Sequence, residues 1–110
     1  MTPLLSQASP TPNAPTLHIS LEDNGREGRF VLTADGVFAG EMTFVRDGSS
    51  TLVVDHTGVE AAFEGKGYGG KLLEAVVDYA RRHGAVIRPQ CSFVERRLSR
   101  QPEYGDVLER

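Results

Sequence analysis

The chain has no tryptophan and only one cysteine, Cys91, among its 110 residues. A single thiol cannot close an internal disulfide, which fits a reducing compartment. Long hydrophobic runs are missing as well: none approaches the roughly 20 residues that span a bilayer. The N-terminus has neither the basic start nor the apolar stretch of a secretory signal. The expectation is a cytoplasmic protein with no membrane partner. Excess positive charge is also lacking. Twelve Lys and Arg face fifteen Asp and Glu, for a net charge of -3 and a pI near 5.6. That argues against nucleic-acid binding through bulk electrostatics. What is present, 39% hydrophobic and 25% charged residues, is ordinary for one globular domain with a modest core.

Two stretches depart from this average. Residues 1–15 hold four of the six prolines, Pro3, Pro10, Pro12 and Pro15, among polar residues. Such a segment buries too little apolar surface to order itself and is expected to be a disordered tail, leaving 16–110 as the domain. Between Arg81 and Arg100 the chain carries Arg81, Arg82, His83, Arg88, Arg96, Arg97 and Arg100 against only Glu95. This is either a solvated face or a local anion-binding one.

The hydrophobic pattern predicts the elements. Leu17, Ile19 and Leu21 alternate as one strand, ended by Asn24-Gly25. Phe30 to Ala34 makes a second. Asp35-Gly36 is a two-residue hairpin signal, and Val37 to Val45 returns, with Gly40 a candidate bulge. After Asp47-Gly48, Thr51 to Val59 is a fourth strand. The period then changes: Leu72, Leu73, Val76, Val77 and Ala80 define the buried face of a helix that Gly84 ends. Ala85 to Arg88 reads as a short strand ended by Pro89. Ser92-x-x-Glu95 reads as a capping box, so a second helix should begin just after Ser92 and stop at Pro102. The order is β-β-β-β-α-β-α, an α+β meander with helices.

The densest signal lies where strand becomes helix. Glu64-Gly65-Lys66-Gly67-Tyr68-Gly69-Gly70-Lys71 puts four glycines within six positions. They bare the backbone immediately before a helix whose first N–H groups lack partners and whose dipole is positive there. With Lys66 and Lys71, this makes an anion site suited to phosphate or pyrophosphate. It is not a P-loop, since no Gly-Lys-Ser/Thr closes it. A dinucleotide fold is not supported either, because no second βαβ half follows.

A meander, then a glycine loop opening a helix, then a strand and short helix, resembles the core of GNAT-type N-acetyltransferases. Their phosphate loop reads Gln/Arg-x-x-Gly-x-Gly/Ala. Glu64-Gly65-Lys66-Gly67-Tyr68-Gly69 matches at Gly67 and Gly69 and departs at Glu64. Asp55-His56-Thr57-x-Val59, Pro89-x-Cys91-x-Phe93-Val94 and Pro102-Glu103-Tyr104 are similar to patterns of a small stand-alone branch of that superfamily. The resemblance covers about residues 17–108. It implies a minimal GNAT fold, acetyl-CoA as donor, a primary amine on a small molecule, protein or peptide as acceptor, and no metal. It implies further that the strand before the loop splays from the next, with the pantetheine arm between them. Val59 and Glu60 would offer the arm backbone groups, and Gly65, Lys66, Gly67, Tyr68, Gly69, Gly70 and Lys71 would surround the pyrophosphate.

Acetyl transfer needs a base for the amine, a donor to the carbonyl and an acid for the thiolate. Cys91, beside the start of the second helix, has a setting that lowers a thiol pKa; it is a candidate acyl carrier or acid, or a small buried apolar residue. His56 on the fourth strand and Glu60 at its end are candidate bases; His56 reads at least as well as a satisfied core or surface histidine, and a glutamate at a strand end is usually just solvated. Tyr104 is a candidate acid, as a tyrosine is in many relatives, or a docked aromatic in a turn. Arg81, Arg82 and Lys71 are candidates for the phosphates of CoA. Two further readings stay open: a non-enzymatic CoA-binding module, and a carrier or redox protein working through Cys91. A monomer and a homodimer are both compatible.

Overall fold

Three tight turns build the sheet. In the computed structural model, which describes residues 14–109, β1 (Leu17–Asp23), β2 (Glu27–Ala34), β3 (Val37–Asp47) and β4 (Thr51–Val59) run as an antiparallel meander. Asp35 (φ 50°) and Gly36 (φ 81°) both take the left-handed conformation that a two-residue turn between β2 and β3 requires. A single turn of 3-10 helix (Ala61–Phe63) and the glycine loop lead into α1 (Tyr68–Arg82). The chain returns as β5 (Val86–Pro89), parallel to β4 and completing a five-stranded sheet in the order β1-β2-β3-β4-β5. Then follow α2 (Ser92–Arg100) and a second 3-10 turn (Pro102–Tyr104). This is the α+β order the periodicities predict. Apart from Ala14 and Pro15, the expected tail over 1–15 lies outside the described residues.

The core is one layer between the sheet and α1. Leu72, Leu73, Val76, Val77 and Ala80 project from α1 into a cluster with Phe30, Leu32, Met42, Phe44, Leu52, Val54 and Ile87. These apolar side chains leave water together, which is the main term holding the fold. Val94 and Leu98 carry α2 into the same cluster. Cross-strand partners assign the faces: Phe30 pairs with Met42, and Ile19 with Leu32, on the helix side. Arg29 pairs with Glu22 and Thr43 on the open side.

Three local readings need correction. The β2–β3 irregularity skips Ala39 rather than Gly40: Leu32 pairs with Gly40 and Thr33 with Phe38. Gly40 answers a different need, because a Cβ there would come within 2.8 Å of the Gly58 carbonyl oxygen. Ser92 is the first residue of α2, not its cap. Cys91 holds the cap position, in extended conformation and with no side-chain capping bond, so the capping box does not form. Pro89 belongs to β5 and pairs with Val54 at its end. No helix among the described residues is long and apolar enough to cross a membrane.

Candidate active site

The head of α1 leaves its amides bare. The first helical bond runs from the Lys71 N–H to the Gly67 carbonyl (3.2 Å), while the Glu64 N–H closes the preceding turn on Ala61 (3.3 Å). Among the described residues no acceptor takes the N–H of Gly65, Lys66, Gly67, Tyr68, Gly69 or Gly70. Six consecutive unpaired donors at the positive end of a 15-residue helix form an anion cradle.

The four glycines serve three purposes, where the sequence suggests one. Gly65 and Gly67 both have φ +80°, and a Cβ on either would meet nothing within 4 Å, so these two bend the backbone. Gly69 admits Phe93 of α2, whose ring would stand 2.9 Å from a Cβ there. Gly70 admits Arg97, whose Nη1 would stand 2.9 Å from one. Tyr68 is 95% removed from solvent and stacks on Phe63 at 6.0 Å, anchoring the helix start in the core.

Beside this cradle β4 and β5 part. Their pairing runs from Thr51–Val86 to Val54–Pro89, and the Gln90 N–H donates to the Val54 carbonyl at 2.8 Å. Beyond that point β4 continues alone to Val59 while the chain turns into α2. The opening continues into a cavity of about 340 Å³ lined by Thr57, Val59, Phe63, Glu64, the four loop glycines, Tyr68, Phe93 and Arg97. A larger hollow of about 530 Å³ surrounds the β1–β2 turn. It shares no lining residue with the cavity at the loop. Of its four carboxylates, Glu22, Asp23, Glu27 and Asp55, three are held: Glu22 by Arg29, Asp23 by Arg46, and Asp55 by the Thr43 hydroxyl. The smaller cavity is the one with the bare donors.

Cys91 stands where the two strands separate, its Sγ 3.5 Å from Thr57 Oγ1. Burial alone would raise its pKa. The Thr57 hydroxyl, the Val94 and Phe93 amides at the start of α2, and the Thr57 amide outweigh that, so the thiol lies below its ordinary value.

The other expected residues fall elsewhere. His56 faces the open side of the sheet: it pairs with Thr43, and its Nε2 lies 3.6 Å from Glu41, which is itself bonded to Arg29. A bulge causes this. Phe44 pairs with Val54 and Thr43 with His56, so Asp55 is an extra residue and the alternation inverts after it. Thr57, which no simple alternation would select, turns toward the cavity instead. Glu60 is exposed at the end of β4. Its N–H already donates to the Ala39 carbonyl (2.8 Å) and its carbonyl accepts from Phe63 (2.8 Å), so its amide is not free for a pantetheine arm. Val59 lines the cavity. Lys66, within the loop, and Lys71, in the first turn of α1, are exposed and do not line the cavity.

Tyr104 is outside the cavity, against the flank of α1 beneath Arg81, at 6.0 Å from guanidinium carbon to ring centre. Burial, Glu74 and Glu103 raise its pKa. Arg81 is bound to Asp106 and to the Glu103 carbonyl, and Arg82 to Asp78. Both lie at the far end of α1, about 18 Å along the axis from the cradle at 1.5 Å per residue. They cannot serve a diphosphate seated there. The cationic side chain at the cavity wall is Arg97, one member of the basic stretch and not singled out by spacing. Among the described residues no group of three metal-ligating side chains converges.

Comparisons with known proteins follow the same lines. The family described as GCN5-related N-acetyl-transferase matches residues 29–107. A GCN5-like protein from Staphylococcus aureus, solved in solution, is 30% identical over 82% of this chain and 87% of its own, with a TM-score of 0.64. An Elizabethkingia anophelis GNAT family acetyltransferase with acetyl-CoA bound is 13% identical, covering 66% of this chain and 63% of that one, at a TM-score of 0.59. A ribosomal-protein-alanine N-acetyltransferase from Brucella melitensis is 15% identical, covering 76% and 89%, at 0.62. The last two likenesses are of fold. No curated protein matches. A family match across most of the sheet, α1, β5 and α2, joined to a solved relative at 30% identity, makes this chain a member of the GCN5-related N-acetyltransferase family, with acyl transfer as its chemistry.

Proposed function

We propose that the protein transfers an acetyl group from acetyl-CoA to a primary amine. One observation carries the reading: six neighbouring N–H groups without acceptors open onto a cavity that runs into the parting of β4 and β5. The diphosphate of acetyl-CoA lies on the amides of residues 65–70. Its pantetheine arm runs past Val59 toward Thr57, and the thioester reaches Cys91. The amine nitrogen attacks the thioester carbonyl and the C–S bond breaks; the CoA sulfur leaves with the Cys91 proton, and the proton shed by the nitrogen restores the Cys91 thiol. Positioning supplies much of the rate in such a transfer, and Cys91, whose Sγ lies 3.5 Å from the hydroxyl of the cavity-lining Thr57, protonates the leaving sulfur in this reading. The structural relative with acetyl-CoA bound supports the choice of donor. Relatives whose names specify a ribosomal-protein alanine or an aminoglycoside show that the fold serves both protein and small-molecule amines.

The lowered thiol of Cys91 favours a second route. Its thiolate attacks the thioester, acetyl-Cys91 forms as the CoA thiolate leaves, and the amine then takes the acetyl group and returns the thiolate. Mass spectrometry after mixing with acetyl-CoA alone detects an added acetyl group on this route. Full turnover by Cys91→Ala excludes it.

Calorimetry with CoA and acetyl-CoA, followed by thiol release with a panel of polyamines, lysine peptides and aminoglycosides, tests the whole proposal. Binding together with amine-dependent thiol release is the expected result. Binding with no release from any amine would leave a CoA-binding module. No binding would remove both.

A further inference from the structure

The anion cradle has an acid at its rim: Glu64 lines the same cavity as the bare amides. A diphosphate seated there meets a carboxylate, and the balancing charge comes from the other helix. Arg97 of α2 extends over the first turn of α1, so close that a Cβ at position 70 would stand 2.9 Å from its Nη1 and make the guanidinium shift. Phe93, one turn earlier on α2, supports the guanidinium, whose carbon stands 4.9 Å from the ring centre.

Arg29, Arg46, Arg81, Arg82 and Arg88 are each held by a carboxylate. Among the described residues no carboxylate is within ion-pairing distance of Arg97, nor of Arg26, Arg96 or Arg100, and of these four only Arg97 lines the cavity. A cation beside the positive end of a helix dipole is electrostatically unfavourable, and an anion between the two relieves it. The guanidinium also presents paired donors in the geometry that phosphate oxygens accept.

Building on the acetyl-CoA reading, we propose that Arg97 is the cationic clamp on the cofactor's diphosphate, closing over it from α2 while the amides of α1 hold it from below. Gly70 is then small for the clamp's sake, and Phe93 keeps the guanidinium in place before the cofactor arrives.

Calorimetric titration of the full chain with CoA and with 3′-dephospho-CoA tests this. Arg97→Met keeps the stem against Phe93 and removes the charge; Arg97→Lys keeps the charge and loses the fork. The Met variant is expected to melt at the wild-type temperature without ligand and to bind both compounds about tenfold to a hundredfold more weakly, as the loss of a charge-assisted bond implies. The Lys variant recovers part of that, and the dependence of affinity on salt becomes shallower in the Met variant alone. Glu64→Gln, at the rim, tightens CoA binding severalfold and provides a reading even if a position-97 variant fails to fold. Unchanged CoA affinity in the Met variant overturns the clamp, as does a loss confined to CoA with 3′-dephospho-CoA unaffected. Wild-type protein that binds neither compound removes the acetyl-CoA reading itself, and the clamp with it.

Discussion

The Thr57 hydroxyl and the first amides of α2 hold the Cys91 thiol below its ordinary range. Alkylation by iodoacetamide, followed against pH, is therefore expected to show a midpoint below the roughly 8.5 of a free thiol. Thr57→Val should move that midpoint upward without unfolding the chain; a midpoint at or above the free-thiol value, unmoved by the substitution, contradicts the assignment. A second residue-scale test concerns Asp23. The Arg46 guanidinium, aided by the Gly25 amide, lowers its pKa from 3.8 to about 2. A depressed carboxylate stabilises the fold above its unfolded pKa and loses that contribution as pH falls through the folded one. The loss should thus run from about pH 4 to about pH 2. Asp23→Asn should cost about 1 kcal/mol at pH 7, the scale of a partly exposed pair, and should flatten this acid limb in urea unfolding. At this scale the sequence was only partly legible. Cys91 is identifiable from its place beside a helix start. His56 and Thr57 exchange faces because of one extra residue, Asp55, and a bulge leaves no mark on hydrophobic alternation when the residues beyond it are polar.

Elements were more legible than residues. The α1 spacing of Leu72, Leu73, Val76, Val77 and Ala80 has one physical solution, a helix with that stripe against a sheet, and the Asp35-Gly36 pair has a nearly unique turn. The onset of α2 was misplaced because Ser92-x-x-Glu95 fits a cap as well as a first turn, and tertiary packing of Val94 and Leu98 decides between them. The glycine run was legible as a loop, but its division of labour was not: the ring of Phe93 and the guanidinium of Arg97 arrive from 24 and 27 residues downstream of the glycines they meet. That division gives distinct outcomes. Gly67→Ala meets no neighbour but forces a side chain into φ +80°, so a loss of about 1 kcal/mol is expected in denaturant unfolding, with CoA binding weakened in step. Gly69→Ala strikes the Phe93 ring. It should therefore displace α2, seen as changed near-ultraviolet or NMR signals of Phe93, with little backbone strain. Identical behaviour of the two variants would show that the glycines share a single role.

At the scale of the molecule, function follows from topology. Four antiparallel strands need no helix between them, but a fifth, parallel strand requires a crossover, and α1 supplies it. The crossover puts the head of a helix beside the strand that precedes it, and the early end of β5 opens the gap next to that head. The donor cradle, the channel and Cys91 are three consequences of one connection, which is why residues spread from Thr57 to Arg97 converge. The measurement that tests this most directly is an amide-resolved NMR titration of the chain with acetyl-CoA. The expected result is that the largest shifts and the strongest protection from exchange fall on the N–H groups of residues 65–70, followed by Thr57 and Cys91. Shifts centred on the hollow by the β1–β2 turn, or a glycine loop whose amides do not respond to saturating acetyl-CoA, would contradict it.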